Sequence, residues 1–247
     1  MTPHAQMPVA TSRRALLRAS VATAAVATAA GSGLIAGATP VGAASRTSTT
    51  RSRPSTPDAA LAELSAGNRR WRTFHQQHPN ESQSVRQALV SGQDPFALIL
   101  GCIDSRVPPE LVFDQGLGDL MTVRSAGEVL DEAVLGSIAY GVLELGIPLV
   151  LVLGHQSCGA VAAAVHAEET GESLPAHIQY IADQIEPAID HSQEGDARVD
   201  ATVSAQVKLV QSRLAGDADL AAKVAAGELK IVGARYELNT QLVHRIS

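Results

Sequence analysis

The sequence predicts an α/β fold, with a mostly parallel central β-sheet flanked by helices. Three observations carry that expectation. From Phe96 onward, short apolar runs alternate with longer helical patterns, the order that builds a parallel sheet. The run at 148–153, Pro-Leu-Val-Leu-Val-Leu, is apolar throughout, as a strand buried on both faces must be. The residues best suited to chemistry follow directly after two of the apolar runs, where such sheets bind their ligands.

The core begins late in the chain. Of 247 residues, the first 44 carry no acid. Ser12-Arg13-Arg14-Ala15-Leu16-Leu17 opens an Ala-rich, weakly apolar segment that closes on Val41-Gly42-Ala43-Ala44. That is the n-region, h-region and A-x-A-like end of an export signal, and the Arg pair matches the twin-arginine type. Gly31, Gly33 and the Thr and Ser residues dilute the run below the density of a spanning helix. Residues 1–44 are therefore expected to be a leader cut after Ala43 or Ala44. The mature protein is expected to be secreted, without a stable membrane anchor. Loss of Arg13, Arg14 and Arg18 leaves 16 basic against 25 acidic residues, a net −9 in place of −6. So acidic a protein argues against nucleic acid and anionic membranes as partners.

Residues 45–57, rich in Ser, Thr, Arg and Pro, read as a disordered linker ahead of a single domain at 58–247. Asp58 is the expected N-cap of a helix at 59–75, with Leu61, Leu64 and Trp71 among its apolar positions. A second helix at 82–90 ends on Ser91-Gly92. Together they form an N-terminal helical arm that either covers its own sheet or, as expected here, clasps a second subunit. Strands follow at 96–100 and 120–123, a helix at 131–145, a strand at 148–153 and a helix at 158–168. Helices at 174–190, 199–214 and 217–226 lead to a last core strand at 229–232, with a hairpin over 235–243 turning near Asn239. Aromatics are only 3% of the chain, so Val, Leu, Ile and Ala must fill the core.

The first strand runs out through Gly101 into Cys102, Asp104 and Arg106, alternate positions of an extended chain that share one side. The third runs into Gly154-His155-Gln156-Ser157-Cys158-Gly159. His155 and Cys158 are three apart, and Cys158 falls at a helix start, where the helix dipole favours thiolate. Cys102, His155 and Cys158 make a Cys₂His set, three ligands that leave a fourth tetrahedral position open on zinc. Sulfur and imidazole suit zinc better than magnesium or calcium. Two readings compete: a Cys102–Cys158 disulfide, natural in an exported protein with two cysteines, and a thiol nucleophile with His155 as its base. His75, His78, His166, His177, His191 and His244 show no partner pattern and read as surface or packing residues.

Cys102-Ile103-Asp104-Ser105-Arg106 followed by His155-Gln156-Ser157-Cys158-Gly159 resembles the signature pair of the β-class carbonic anhydrases. The stretches 113–119 and 123–127 are similar to the same family, especially its actinobacterial members, and the likeness runs from about residue 59 to 243. The resemblance implies one Zn2+ per subunit, held by Cys102, His155 and Cys158. It implies reversible hydration of carbon dioxide to bicarbonate and a proton by zinc-bound hydroxide, with Asp104 and Arg106 as the catalytic pair, and a homodimer or homotetramer. In some bacterial members this aspartate leaves its arginine and becomes the fourth metal ligand, so Asp104 stands in the ligand set too. Plant-type members carry a pocket glutamine at the position of Gly116, one residue from Gln115. Members with a regulatory bicarbonate pocket match at Arg124 and Tyr236, with Ile99 where they have Trp. Hydrolysis of carbonyl sulfide or carbon disulfide on the same fold, and a zinc-bearing scaffold without activity, are the alternatives.

Overall fold

The computed structural model describes residues 53–246. The expected leader and residues 45–52 of the expected linker lie outside that span. Strands β1 (Ala97–Gly101), β2 (Leu120–Arg124), β3 (Leu149–His155) and β4 (Lys230–Tyr236) run parallel, and β5 (Val243–Arg245) returns antiparallel on β4. Their spatial order is β2-β1-β3-β4-β5, the mostly parallel sheet that the alternating pattern predicts.

Side-chain alternation sorts the central strands onto two faces. Leu98, Leu100, Val150, Val152 and Ile231 point to one side. There they meet helices α4 (Glu132–Ala139), α7 (Gly195–Ala215) and α8 (Ala218–Ala225), through Val134, Ile138, Val207, Val210, Leu214 and Leu220. Ala97, Ile99, Leu149, Leu151, Val232 and Ala234 point to the other side, under α1 (Pro57–Arg72) and α3 (Pro109–Val112). Every residue of β1 and β3 is buried, which explains why both strands read as continuous apolar runs. A third apolar cluster sits beyond the carboxyl ends of the strands, where α5 (Gly159–Thr170) and α6 (Ile178–Ile185) pack around Cys102 and Cys158.

Through α1, the helical arm packs on the sheet of its own chain. Ala60 and Leu64 are buried in the same cluster as Ile99 and Leu151. Asn68 fixes the docking: its amide donates to the carbonyls of Val112 and Gln241 and its oxygen accepts the Val243 N–H. Arg70 pairs with buried Asp114, which also accepts the N–H groups of Gln77 and His78 at 3.1 Å. The second helical piece, α2 (Gln83–Ala88), buries nothing.

Several boundaries differ from expectation for local reasons. The first helix starts at Pro57, and its cap is Thr56, whose hydroxyl accepts the Ala59 N–H, rather than Asp58. The stretch at 174–190 is helical only from Ile178. Gln179 Oε1 takes the Leu174 N–H and holds the preceding chain in a turn, while Pro187 tightens the last residues to a 3₁₀ turn at Glu186–Ala188. The helix from Glu132 widens at Tyr140–Glu144, with Leu145 N–H bonding to Tyr140 O, where Gly141 passes close to Leu98 and Met121. The last core strand continues to Tyr236 because Arg235, buried beside β3, finds partners in Asp200 and Glu237.

Where α1 crosses the α3 turn, backbone meets backbone: a Cβ on Gly67 would lie 1.7 Å from Phe113 O. Gly67→Ala should therefore destabilise the fold by at least the upper end of the about 1–3 kcal/mol typical of overpacking. Gly216 has φ −92° and ψ −2°, and its nearest added contact would be an ordinary 3.5 Å. Gly216→Ala should stabilise by about 0.4–1 kcal/mol by restricting the unfolded chain. Urea midpoints of the two variants check both signs.

Candidate metal centre

The centre is built by two neighbouring strands that end together. β1 and β3 pair in parallel with Gly101 opposite Leu153, so Cys102, one residue past β1, arrives beside the end of β3, where His155 is the last strand residue. Ser157 at φ 55° turns the chain back, and Cys158 then caps the start of α5. Gly154 has to be glycine: a Cβ there would meet Val207 Cγ2 of α7 at 2.5 Å.

The structure brings Cys102, His155 and Cys158 together, with their donor atoms all within 4.8 Å of one another. All three are buried, and the two sulfurs stand 3.9 Å apart. A disulfide needs sulfurs about 2.05 Å apart. Two thiolates at about 2.3 Å from one tetrahedral zinc stand about 3.8 Å apart, so the spacing fits shared coordination, and both cysteines are free. His155 supplies an independent check. Its Nδ1 donates to Gln156 O at 3.0 Å, which leaves Nε2 as the lone-pair nitrogen, and that atom is buried with no hydrogen-bond partner. A buried, unpartnered imidazole nitrogen aimed among two thiols is what a soft divalent cation requires.

Charge at the centre follows from these contacts. The Cys158 thiol and the Gly127 N–H hydrogen-bond Cys102 and, with His155 beside it, hold its thiol down, to about 4, against the cost of burial. Cys158 is pushed up by its bond to that sulfur and by burial, so in the absence of metal the pair shares one proton. Burial acts most strongly on His155, toward the neutral form, but Cys102 and the Gln156 carbonyl outweigh it and raise its pKa.

Asp104 and Arg106 follow Cys102 on the turn after β1, Asp104 partly covered and Arg106 more exposed. Arg106 Nε donates to Asp104 Oδ1 at 2.9 Å, its Nη2 to Oδ2 at 2.6 Å, and its backbone N–H to Oδ1 at 2.9 Å. Held chiefly by this side-chain bonding, the Asp104 carboxyl sits at about 2. It adds stability above its ordinary titration range that disappears only as pH falls through about 2. Its Oδ2 stands 3.9 Å from His155 Nε2. Arg106 also reaches Ser157 O at 3.2 Å, tying the β1 end to the β3–α5 turn.

The other residues singled out from the sequence fall elsewhere. Gln115 uses its amide to brace Glu63 and Phe113 O. Arg124 donates to Cys102 O at 2.8 Å and Asp104 O at 2.7 Å, while the Tyr236 hydroxyl accepts from Trp71, and Ile99 is fully buried core. Arg124 thus props up the β1 end. Two polar residues escaped the sequence reading. Glu128 is 1% exposed, and burial first, then the Cys102 thiolate, keep its carboxyl protonated well above the ordinary range. Gln206, also 1% exposed, donates to Gly127 O at 3.0 Å. Gln206 had a readable signal, a polar residue on the apolar Val203–Val207–Val210 face of a helix; Glu128, in a short loop without periodicity, had none.

Three sulfur and nitrogen donors converging at the carboxyl edge of a parallel sheet define a catalytic type of zinc site. A model of the carbonic anhydrase family matches residues 97–243. Carbonic anhydrase 2 of Mycobacterium tuberculosis is 42% identical over 185 residues, covering 74% of this chain and 89% of that protein. The carbonic anhydrase of Mycolicibacterium smegmatis is 42% identical over 187 residues, 74% of this chain and 90% of its own. In fold, the β-carbonic anhydrase CcaA superposes with a TM-score of 0.62 at 22% identity, over 76% of this chain and 95% of that one. The Coccomyxa β-carbonic anhydrase, solved with acetazolamide, gives 0.61 at 24% identity, over 75% and 86%. The chain belongs to the carbonic anhydrase family, in its β class, and is zinc-dependent like the rest of that class.

Cys102→Ser, His155→Ala and Cys158→Ser should each lose most of their zinc, against about one per wild-type chain, as read by atomic absorption on extensively dialysed protein.

Proposed function

We propose that Cys102, His155 and Cys158 hold the zinc and that Asp104 and Arg106 are the catalytic pair in the reversible hydration of carbon dioxide. The hydration itself is the carbonic anhydrase reaction, a lyase activity. One observation carries the assignment of roles: Asp104 is locked by four hydrogen bonds from Arg106 while one of its oxygens lies 3.9 Å from the metal-facing nitrogen of His155.

Zinc, when bound, supplies the Lewis acidity that makes a hydroxide nucleophile available near neutral pH. Asp104, ionised at any physiological pH, has only acceptors to offer. It therefore orients a nucleophile that bears a hydrogen and is too acidic to store the released proton. Arg106 fixes the direction of the accepting lone pair, and Arg124 fixes the peptides on either side by holding the Cys102 and Asp104 carbonyls. Val129, Val161 and Ile185 pack around the cysteines and give the centre an apolar surrounding, in keeping with a small, uncharged substrate.

Asp104 becomes a fourth ligand only in a second state, in which its carboxylate gives up Arg106 and turns toward His155. Cobalt-substituted protein, followed spectroscopically from mildly acidic to alkaline pH, tests this: unchanged coordination rejects the second state.

A homo-oligomer is the proposed assembly. β2 is the edge of the sheet, and Met121, Val123 and the half-exposed Tyr140 line a cavity beside it, an apolar flank suited to a second copy. Export by the twin-arginine route is proposed from Arg13-Arg14 and the acid-free segment behind them. Among the described residues, no helix is long and apolar enough to cross a membrane.

Arg106→Ala should keep its zinc and lose about 100-fold or more in kcat/KM for carbon dioxide hydration, because the carboxylate is no longer aimed. Stopped-flow assay of the zinc-loaded variant reads this. Carbonyl sulfide hydrolysis exceeding hydration on the same wild-type sample would move the substrate assignment. Replacing Arg13 and Arg14 together by Lys should retain the protein inside the cell, as read by fractionation.

A further inference from the structure

Behind Cys102 lies a polar contact that the reaction does not use. The sulfur accepts the Gly127 N–H at 3.4 Å, and the Gly127 carbonyl accepts Gln206 Nε2 at 3.0 Å. Gln206 projects from the middle of α7, among Val203, Val207 and Val210, and is 1% exposed. Its Oε1 is buried without a partner. An amide with half its hydrogen-bonding capacity unmet is a poor choice for stability in an apolar interior, where an aliphatic side chain would serve better. The retained half reaches one atom, the oxygen of the residue that donates to the ligand.

Gly127 needs such a hold. It sits at φ 63°, and Glu128 directly after it at φ 55°, two successive residues in the left-handed region. Glycine has no Cβ to restrict it, so nothing intrinsic keeps its N–H on the sulfur. Ser125 closes one side of this turn by donating its hydroxyl to Val129 O at 2.7 Å, and Gln206 pins the other.

We propose that Gln206 is a positioning residue for the metal centre: it pins Gly127 so that the backbone N–H remains on Cys102 Sγ and tempers the electron donation of that thiolate to the metal. This rests on Cys102 being a ligand. Without the pin, Gly127 turns away and the sulfur loses an N–H donor. The thiolate then becomes a stronger electron donor but a less ordered ligand, an outer-shell loss that typically costs about 10–100-fold in metal affinity.

The test compares wild type, Gln206→Met, which keeps length and bulk without a donor, and Val210→Ala, a core truncation one turn away on the same helix. Each is prepared in the full folded protein with cobalt or zinc. The sulfur-to-cobalt charge-transfer band of Gln206→Met should move to longer wavelength, and competition with a chelator should show zinc held about tenfold more weakly or worse. Val210→Ala should lose stability and change neither reading. An unmoved band with unchanged zinc affinity in Gln206→Met overturns the proposal, as do equal shifts in Val210→Ala. Wild-type protein loaded with ¹¹³Cd gives a reading that needs no variant: the Gly127 amide proton should show scalar coupling to cadmium through the sulfur, and its absence overturns the proposal. A wild-type cobalt protein with no sulfur charge-transfer band at all would instead remove the ligand assignment beneath it.

Discussion

The site depends on two parallel strands being neighbours and ending in step. β1 and β3 are adjacent in the sheet although far apart in sequence, and their register places Cys102 beside the Gly154–His155 peptide. Parallel neighbours need a crossover, here the long excursion through β2 and α4, so the carboxyl ends of both strands open on one side. The third donor then costs little, since Cys158 is the residue on which the next helix starts. Burial of both strands on both faces makes their position rigid, and the metal geometry inherits that rigidity.

Rigidity is also what makes the electrostatics workable. Two buried thiols and an imidazole would be expensive without a cation, and the fold places compensating groups around them. Gly127 N–H faces one sulfur, the α5 N-terminus faces the other, and Arg106 with Arg124 surrounds the approach. Glu128, the one carboxyl buried against the cysteines, stays protonated and adds no negative charge. Asp104 is held firmly anionic by its guanidinium partner, which travels with it on the same turn. Positive and negative groups are thus paired locally, so the net acidity of the chain has little bearing on the centre.

How much of this the sequence revealed depends on the range of the interaction. The mostly parallel sheet and its strands were legible because alternation of apolar runs with helical patterns is a local signal, and so were the three donors, which occupy two short fragments. Asp104 and Arg106 were legible for the same reason, sitting two apart in an extended turn. One feature that escaped was local, and the others were set by distant contacts. Thr56 rather than Asp58 caps the first helix because Pro57 can occupy its first turn. The strand at 230–236 outran its apolar core because Arg235 is neutralised from α7. The docking of α1 depends on Gly67, which permits backbone contact with Phe113, and on Asn68, which satisfies three backbone groups at once, neither of which is visible along the helix alone.

The same distinction separates ligands from the residues that serve them. A ligand is constrained by chemistry, so only Cys, His, Asp or Glu can fill the position and the sequence advertises it. A residue that holds a ligand is constrained by geometry, and any donor of the right reach would do. Gln206 is 104 residues of chain beyond Cys102, and the bond that links them passes through a glycine whose side chain carries no information. A polar residue on the buried face of an otherwise aliphatic helix is the trace such a role leaves, because folding alone would have favoured a hydrocarbon there. In this protein that trace points to the sulfur of Cys102, which places the control of the metal's electron density on the helix packed against the sheet rather than on the loops that carry the ligands.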